Sequence, residues 1–188
     1  YLGYTAYAAY CRDNDNLGAN EDPIDAEIID LFLARPECSI DQPSCFDQGI
    51  LTTLYCACEQ GKLDLVKILL ERGANINYQR AEKFAYASPL YCAYYKLHEP
   101  IFDLLLQNMK LSVTEKDIEN IKAFPIISDL QTKMLAKLHT YLYEHDQFEF
   151  AKSLMENEFV TTSYDKFQAA WNEEKQKAFE AHERSARD

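Results

Sequence analysis

The chain has 188 residues, 47% of them hydrophobic, and a formal net charge of -12 from 19 basic and 31 acidic side chains. This is enough apolar material to bury the core of one ordinary domain, and no apolar run reaches the length that crosses a membrane, so no membrane insertion is expected. The acidity is spread along the chain, -7 over residues 1–113 and -5 over 114–188, with no cluster of Lys and Arg; this excludes a basic stripe for nucleic acid and disfavours an anionic membrane surface, while it either suits a basic protein partner or serves solubility alone.

Aromatic residues are plentiful, 13 Tyr and 10 Phe, whereas Gly (5) and Pro (6) are scarce. Few turn-formers and many long side chains point to stacked helices rather than to many short strands. The chain begins at Tyr1 with no basic-then-apolar leader, which reads as a processed or trimmed piece of something longer.

In chain order, Gly3 to Cys11 reads as a first helix. Arg12 to Pro23, rich in Asp, Asn and Gly, reads as an inserted loop, and Ile28 to Leu33 as a second helix. Next comes Thr52-Thr53-Leu54-Tyr55-Cys56-Ala57-Cys58, then Gly61, then Leu65, Val66, Leu69 and Leu70 at the spacing that buries one helix face. Gly73 follows Glu71-Arg72 where a left-handed C-terminal cap is expected, a conformation in which a side chain costs about 1 kcal/mol. The same order returns at Ser88-Pro89-Leu90-Tyr91-Cys92-Ala93-Tyr94, 36 residues after Thr52, and runs on to Ile101 through Leu106. Leu97 stands where the first copy has Gly61, and Met109 where it has Gly73. Thr52 and Ser88 stand where a hydroxyl caps free backbone N–H groups, and Pro89 falls in a first turn, where its missing N–H is harmless.

Beyond these, Thr114-Glu115-Lys116-Asp117 reads as a capped helix start, and Phe124-Pro125 as its end. Leu130, Met134, Leu135, Leu138 and Leu142 form one helical stripe. Phe148, Ala151, Leu154 and Met155 form another, after the turn Glu144 to Gln147. Thr162-Ser163 opens a last helix through Phe167 and Trp171.

The stretch Thr52 to Asn77 resembles one ankyrin repeat, with Thr52, Leu54, Ala57, Gly61, Gly73, Ala74 and Asn77 on pattern positions and no gap. The resemblance implies an all-α ankyrin-repeat solenoid of about three repeats with a C-terminal helical extension. Residues 1–113 would hold units at about 1–42, 47–79 and 83–113, and 114–188 would cap the open end of the stack, since a lone unit cannot bury its apolar face. It further implies a non-catalytic scaffold that binds a partner protein along a concave groove of first-helix positions and hairpin tips. Carried over position by position, the first-helix pair falls on Arg12 and Asp13, Glu59 and Gln60, and Tyr95 and Lys96. The tips fall near Asp47 and Gln48 and near Lys83 and Phe84, with Tyr78, Gln79, Arg80 and Tyr86 in the loop between units. Aromatic and Arg residues are the usual anchors, though Phe84 and Tyr86 could equally pack on a neighbouring loop. The family's conserved His position is filled by Ala8, Tyr55 and Tyr91. Divergent, loop-expanded units joined to a helical region are also similar in style to ankyrin effectors secreted by intracellular bacteria.

Six cysteines raise the question of chemistry. Cys56 and Cys58 point in different directions on one helix and cannot easily pair, and Cys11, Cys56, Cys58 and Cys92 sit in apolar stretches as small hydrophobes. Cys38 and Cys45 fall in loops. No CxxC, HExxH, GxSxG, phosphate loop or EF-hand is present. The expectation is therefore no enzyme, no metal and no cofactor, and a monomer in a reducing cytoplasm, or in a host cytoplasm for a secreted effector. The alternative is a non-catalytic or regulatory part of a larger enzyme or effector with Cys/His chemistry, to which His98, His139, His145 and His182 could contribute bases.

Overall fold

Helical periodicity is realised in the computed structural model, which describes residues 27, 30, 31, 34, 39–41, 52–78, 88–124, 128–156 and 164–185. Its helices are α1 (Thr53–Glu59), α2 (Leu63–Glu71), α3 (Pro89–Tyr95), α4 (Glu99–Leu106), α5 (Glu115–Ala123), α6 (Asp129–Glu144), α7 (Phe148–Met155) and α8 (Tyr164–Ser185), with no strand among the described residues. The chain divides into two compact units, Tyr1–Ser112 and Val113–Asp188.

In the first unit, α1 packs on α3 and α2 on α4, so each two-helix hairpin lies beside the next in the same sense. The packed faces are those of the sequence pattern: Leu54, Ala57, Leu65, Val66 and Leu69 in one hairpin, Leu90, Ala93, Ile101, Phe102 and Leu105 in the other, all buried. Both α1 and α3 start on the expected hydroxyl, with Thr52 Oγ1 accepting from the Tyr55 N–H at 3.3 Å and Ser88 Oγ from the Tyr91 N–H at 3.0 Å. Ahead of them, Glu27, Asp30 and Leu31 are helical. Asp30 takes a two-pronged ion pair from Arg72, 2.9 Å on each side, and the Arg72 hydrogen bonds hold its carboxyl below the ordinary carboxylate range.

The loops between hairpins are tied by short polar side chains one repeat apart. Asp41 accepts from the Asn75 N–H at 2.8 Å, while Asn77 donates to the Lys110 carbonyl at 2.7 Å and accepts from the Ser112 N–H at 2.8 Å. These bonds are exposed, and their recurrence one repeat apart ties each loop to the next.

The turns show what the two substituted glycine positions require. After α1, the Gly61 N–H bonds to the Cys58 carbonyl and the Lys62 N–H to that of Ala57, with Gly61 at φ 73. This is the double bond of a left-handed C-cap. Leu97 takes the same place after α3 at φ 62, with its N–H on Tyr94 and that of His98 on Ala93. The turn thus keeps its geometry without glycine, and a β-carbon is held in a region that L-residues avoid. The other position behaves differently. Gly73 closes α2 at φ 87, but Met109 is 99% exposed, and the chain leaves α4 through an Asn108 side chain that accepts from the Lys110 N–H, as Asn75 accepts from Asn77. No left-handed residue is needed there.

In the second unit, α5 opens with a full capping box between Thr114 and Asp117 and ends at Phe124, extended before Pro125. A second box, Ser128 with Gln131, opens α6. Helix α6 packs on α7 and α8, and α7 also on α5. Met134, Leu135, Leu138, Leu142, Ala151, Leu154 and Phe167 form this core, whereas Phe148 is half exposed. The α6–α7 turn repeats the hairpin turn of the first unit: Asp146 sits at φ 59, its N–H bonds to the Tyr143 carbonyl, and the Gln147 N–H bonds to that of Leu142. Among the described residues no helix is long and apolar enough to cross a membrane.

Candidate partner-binding surface

Of the first-helix pairs, Glu59, Gln60, Tyr95 and Lys96 are described, and three of the four are brought together. Because α1 lies against α3, Glu59 at the end of one helix meets Lys96 at the end of the next, Oε1 to Nζ 3.4 Å, with about 40% of each side chain exposed. The Lys96 ammonium also stands 5.7 Å over the Tyr95 ring. Tyr95, 45% exposed, is stacked on Tyr91 at 6.1 Å with the planes 18° apart. The stack follows from i, i+4 spacing on α3. It orders an exposed aromatic ring before any partner arrives, which reduces the entropy that binding must overcome. Gln60 takes another part: it is the residue that caps α1, and its side-chain oxygen is buried.

Beneath this ridge the two turns are clasped. The His98 imidazole lies against the backbone of the preceding hairpin turn, with Nε2 3.1 Å from the Glu59 carbonyl oxygen. The residue that bears the exposed carboxylate is therefore fixed by the next unit.

Tyr78 is half-buried and closes the turn begun by Asn75, its N–H bonding to that carbonyl, on the loop side of the hairpin. The remaining expected positions, Arg12, Asp13, Asp47, Gln48, Gln79, Arg80, Lys83, Phe84 and Tyr86, lie outside the described residues. So do Cys11, Cys38, Cys45 and the side chain of His182. Tyr91 was not among the expected positions. Its signal was available, since it stands four residues before Tyr95 on the same helix.

Cys58 and Cys92 do not offer a nucleophile. Burial pushes the Cys58 thiol well up, and burial pushes that of Cys92 up to about 12, against the pull of a hydrogen bond with Tyr55. A thiol kept protonated in this way is inert. At the α6–α7 turn, the His145 Nδ1 is 2.8 Å from the Tyr141 carbonyl oxygen and its ring is stacked on Tyr141 at 4.0 Å. His145 and Asp146 thus serve the turn itself. Among the described residues no group of three metal-ligating side chains occurs.

Stacked two-helix hairpins with capped, glycine-type turns define a repeat scaffold. The family description "Ankyrin repeats (3 copies)" matches residues 19–117, just over half of the chain, and the chain belongs to the ankyrin-repeat family. Repeats of this family generally serve as protein–protein interaction modules without catalysis of their own. Among curated proteins, the chain is similar to the poly [ADP-ribose] polymerase tankyrase of Caenorhabditis elegans, 35% identical over 57 residues. That stretch is 30% of this chain and 2% of the tankyrase. Neither match supports the likeness to bacterial effectors.

Proposed function

We propose that the chain grips a partner protein along the ridge formed by the ends of α1 and α3, with Tyr95 as the anchor and Glu59 and Lys96 as its charged rim. The observation that carries this reading is the ordered, exposed Tyr95 ring, stacked on Tyr91 and bordered by an ion pair between two neighbouring repeats. An aromatic residue with little rotamer freedom, ringed by polar groups, has the make-up of an interface centre. On the resemblance alone, Arg12, Asp13, Asp47, Gln48, Tyr78, Gln79, Arg80, Lys83, Phe84 and Tyr86 hold the positions that would extend this surface. The net charge of -12 favours a partner with a basic face. The chain acts as a cytoplasmic monomer and a scaffold.

Affinity capture with the purified chain, read by mass spectrometry, tests this. Tyr95→Ala combined with Lys96→Ala should abolish recovery of the partner while the circular dichroism spectrum stays unchanged. Undiminished recovery would refute the ridge.

A second reading makes the repeats a non-catalytic part of a larger enzyme, supported by the match to a short stretch of a long polymerase. The parent transcript's length decides it.

A further inference from the structure

Helix α8 is fastened to the second unit through an aromatic cluster built on one histidine. Among the described residues, α8 packs on α6. Of its described side chains, Phe167 is buried and Trp171 half-buried, while Lys166, Asn172, Glu173, Lys175 and Gln176 are exposed. Its ion pair to α6, Lys166 with Asp129, has side chains 68% and 86% exposed, and a pair so exposed contributes little. The docking is therefore concentrated on two rings, and both meet the same residue. His139 stands edge to face with Phe167 at 5.8 Å and with Trp171 at 5.1 Å.

His139 is 8% exposed, and its Nδ1 is buried without a hydrogen-bond partner. A neutral imidazole tolerates that position, because an unpaired ring nitrogen costs far less than an unpaired charge. A protonated one carries an N–H at Nδ1 with no acceptor in reach. One neighbouring ring is also already engaged by a cation, since Lys175 Nζ stands 5.4 Å from the centroid of Trp171. A charged His139 would bring a second cation to that ring. The charged side chains on the helices packed here, Lys133 and Lys137 on α6, Glu149 and Lys152 on α7, and Glu174 and Lys175 on α8, all reach solvent. None of them contributes to the lowering of the His139 pKa, which burial causes.

We propose that α8 is an acid-released strap: it lies on α6 while His139 is neutral, and protonation of that ring frees it, uncovering Phe167, Trp171 and the face of α6 they cover. The docked form holds the neutral ring, and the released form takes up the proton at the ordinary value of 6.5. The strap is therefore held above pH 6.5 and let go as the pH falls below it, by up to about tenfold in the docking equilibrium for each further pH unit. The opening is local, with α7 remaining on α6.

The chain has one tryptophan, Trp171, so its fluorescence reads this contact alone. The full chain is titrated from about pH 7.5 to about pH 5, which brackets an ordinary histidine. The emission maximum should move to the red and acrylamide should quench it more as the pH falls. Hydrogen exchange, corrected for the intrinsic effect of pH, should lose protection over Tyr164–Ser185 and keep it over Phe148–Met155. Phe167→Ala should show the released spectrum already at neutral pH. His139→Phe and His139→Gln take no proton, and whichever keeps the neutral spectrum of the unaltered chain should keep it at the acid end. The proposal fails if the unaltered chain shows no red shift, or if the variants shift equally. Dimming without greater access to acrylamide would mean a proton taken up with the strap in place, and would overturn it too. So would protection lost in α7 together with α8, which is unfolding of the whole unit, or neither His139 variant docking at neutral pH.

Discussion

A side chain on Gly61 would run into the imidazole of His98: a Cβ there would stand 2.6 Å from Cε1 of that ring. The glycine is therefore required twice, once by its left-handed backbone at φ 73 and once by the neighbouring repeat, whose histidine uses the space to reach the Glu59 carbonyl. Gly73 is required once, since nothing lies within 4 Å of the position its Cβ would take.

The two glycines can therefore be told apart. Gly73→Ala should cost about 1–2 kcal/mol, the strain of an L-residue in the left-handed region. Gly61→Ala should cost more, because the His98 ring must move and give up its hydrogen bond. Urea unfolding monitored by circular dichroism measures both, and equal costs would contradict the clasp. Adding His98→Ala should be less damaging in the Gly61→Ala background than in the unaltered chain.

Asp146 is exposed and held at φ 59. Asp146→Gly should stabilise the second unit by about 1 kcal/mol, because glycine meets no penalty there. A higher urea midpoint for that unit is the expected result. A lower one would mean that the Asp side chain supports the turn.

Leu69 is 1% exposed in the repeat core between α2 and its neighbours. Leu69→Ala should cost about 2–5 kcal/mol, combining lost burial with the cavity left behind. An unmoved melting temperature would refute its placement.

His139 is 8% exposed and meets Phe167 and Trp171 edge to face, at 5.8 and 5.1 Å. Burial lowers its pKa from the ordinary 6.5. A lowered value means that the unfolded chain takes up the proton more readily than the folded one. Stability is then fully present above pH 6.5 and declines as the pH falls below it toward the folded pKa. The unfolding midpoint of the second unit should drop between pH 7.5 and 5.5, about a unit either side of an ordinary histidine. His139→Gln should flatten that dependence, and an equal drop in the variant would assign it to other groups.

How much was legible follows the range of each interaction. Thr52, Ser88, Thr114 and Ser128 cap helices through bonds three residues away, and the first three were readable from sequence for that reason. The stripes of α2 and α6 were equally plain. Leu97 was not: its residue type gives no sign of the left-handed backbone, yet it adopts the glycine conformation, with the flanking helices and the bonds on Tyr94 and Ala93 holding it there.

The sequence alone determined a helical repeat of about three units, since periodicity, caps and glycine turns are written into neighbouring residues and each unit copies the last. Only the tertiary structure decided which side chains from different units meet. Glu59 with Lys96, His98 against Gly61 and Arg72 with Asp30 join residues 37, 37 and 42 positions apart. Tyr143 and Phe148, though close in the chain, become one surface only through the turn between their helices. Local free energies choose helix and turn residue by residue, whereas such contacts exist only after the helices have packed and set the distance between them.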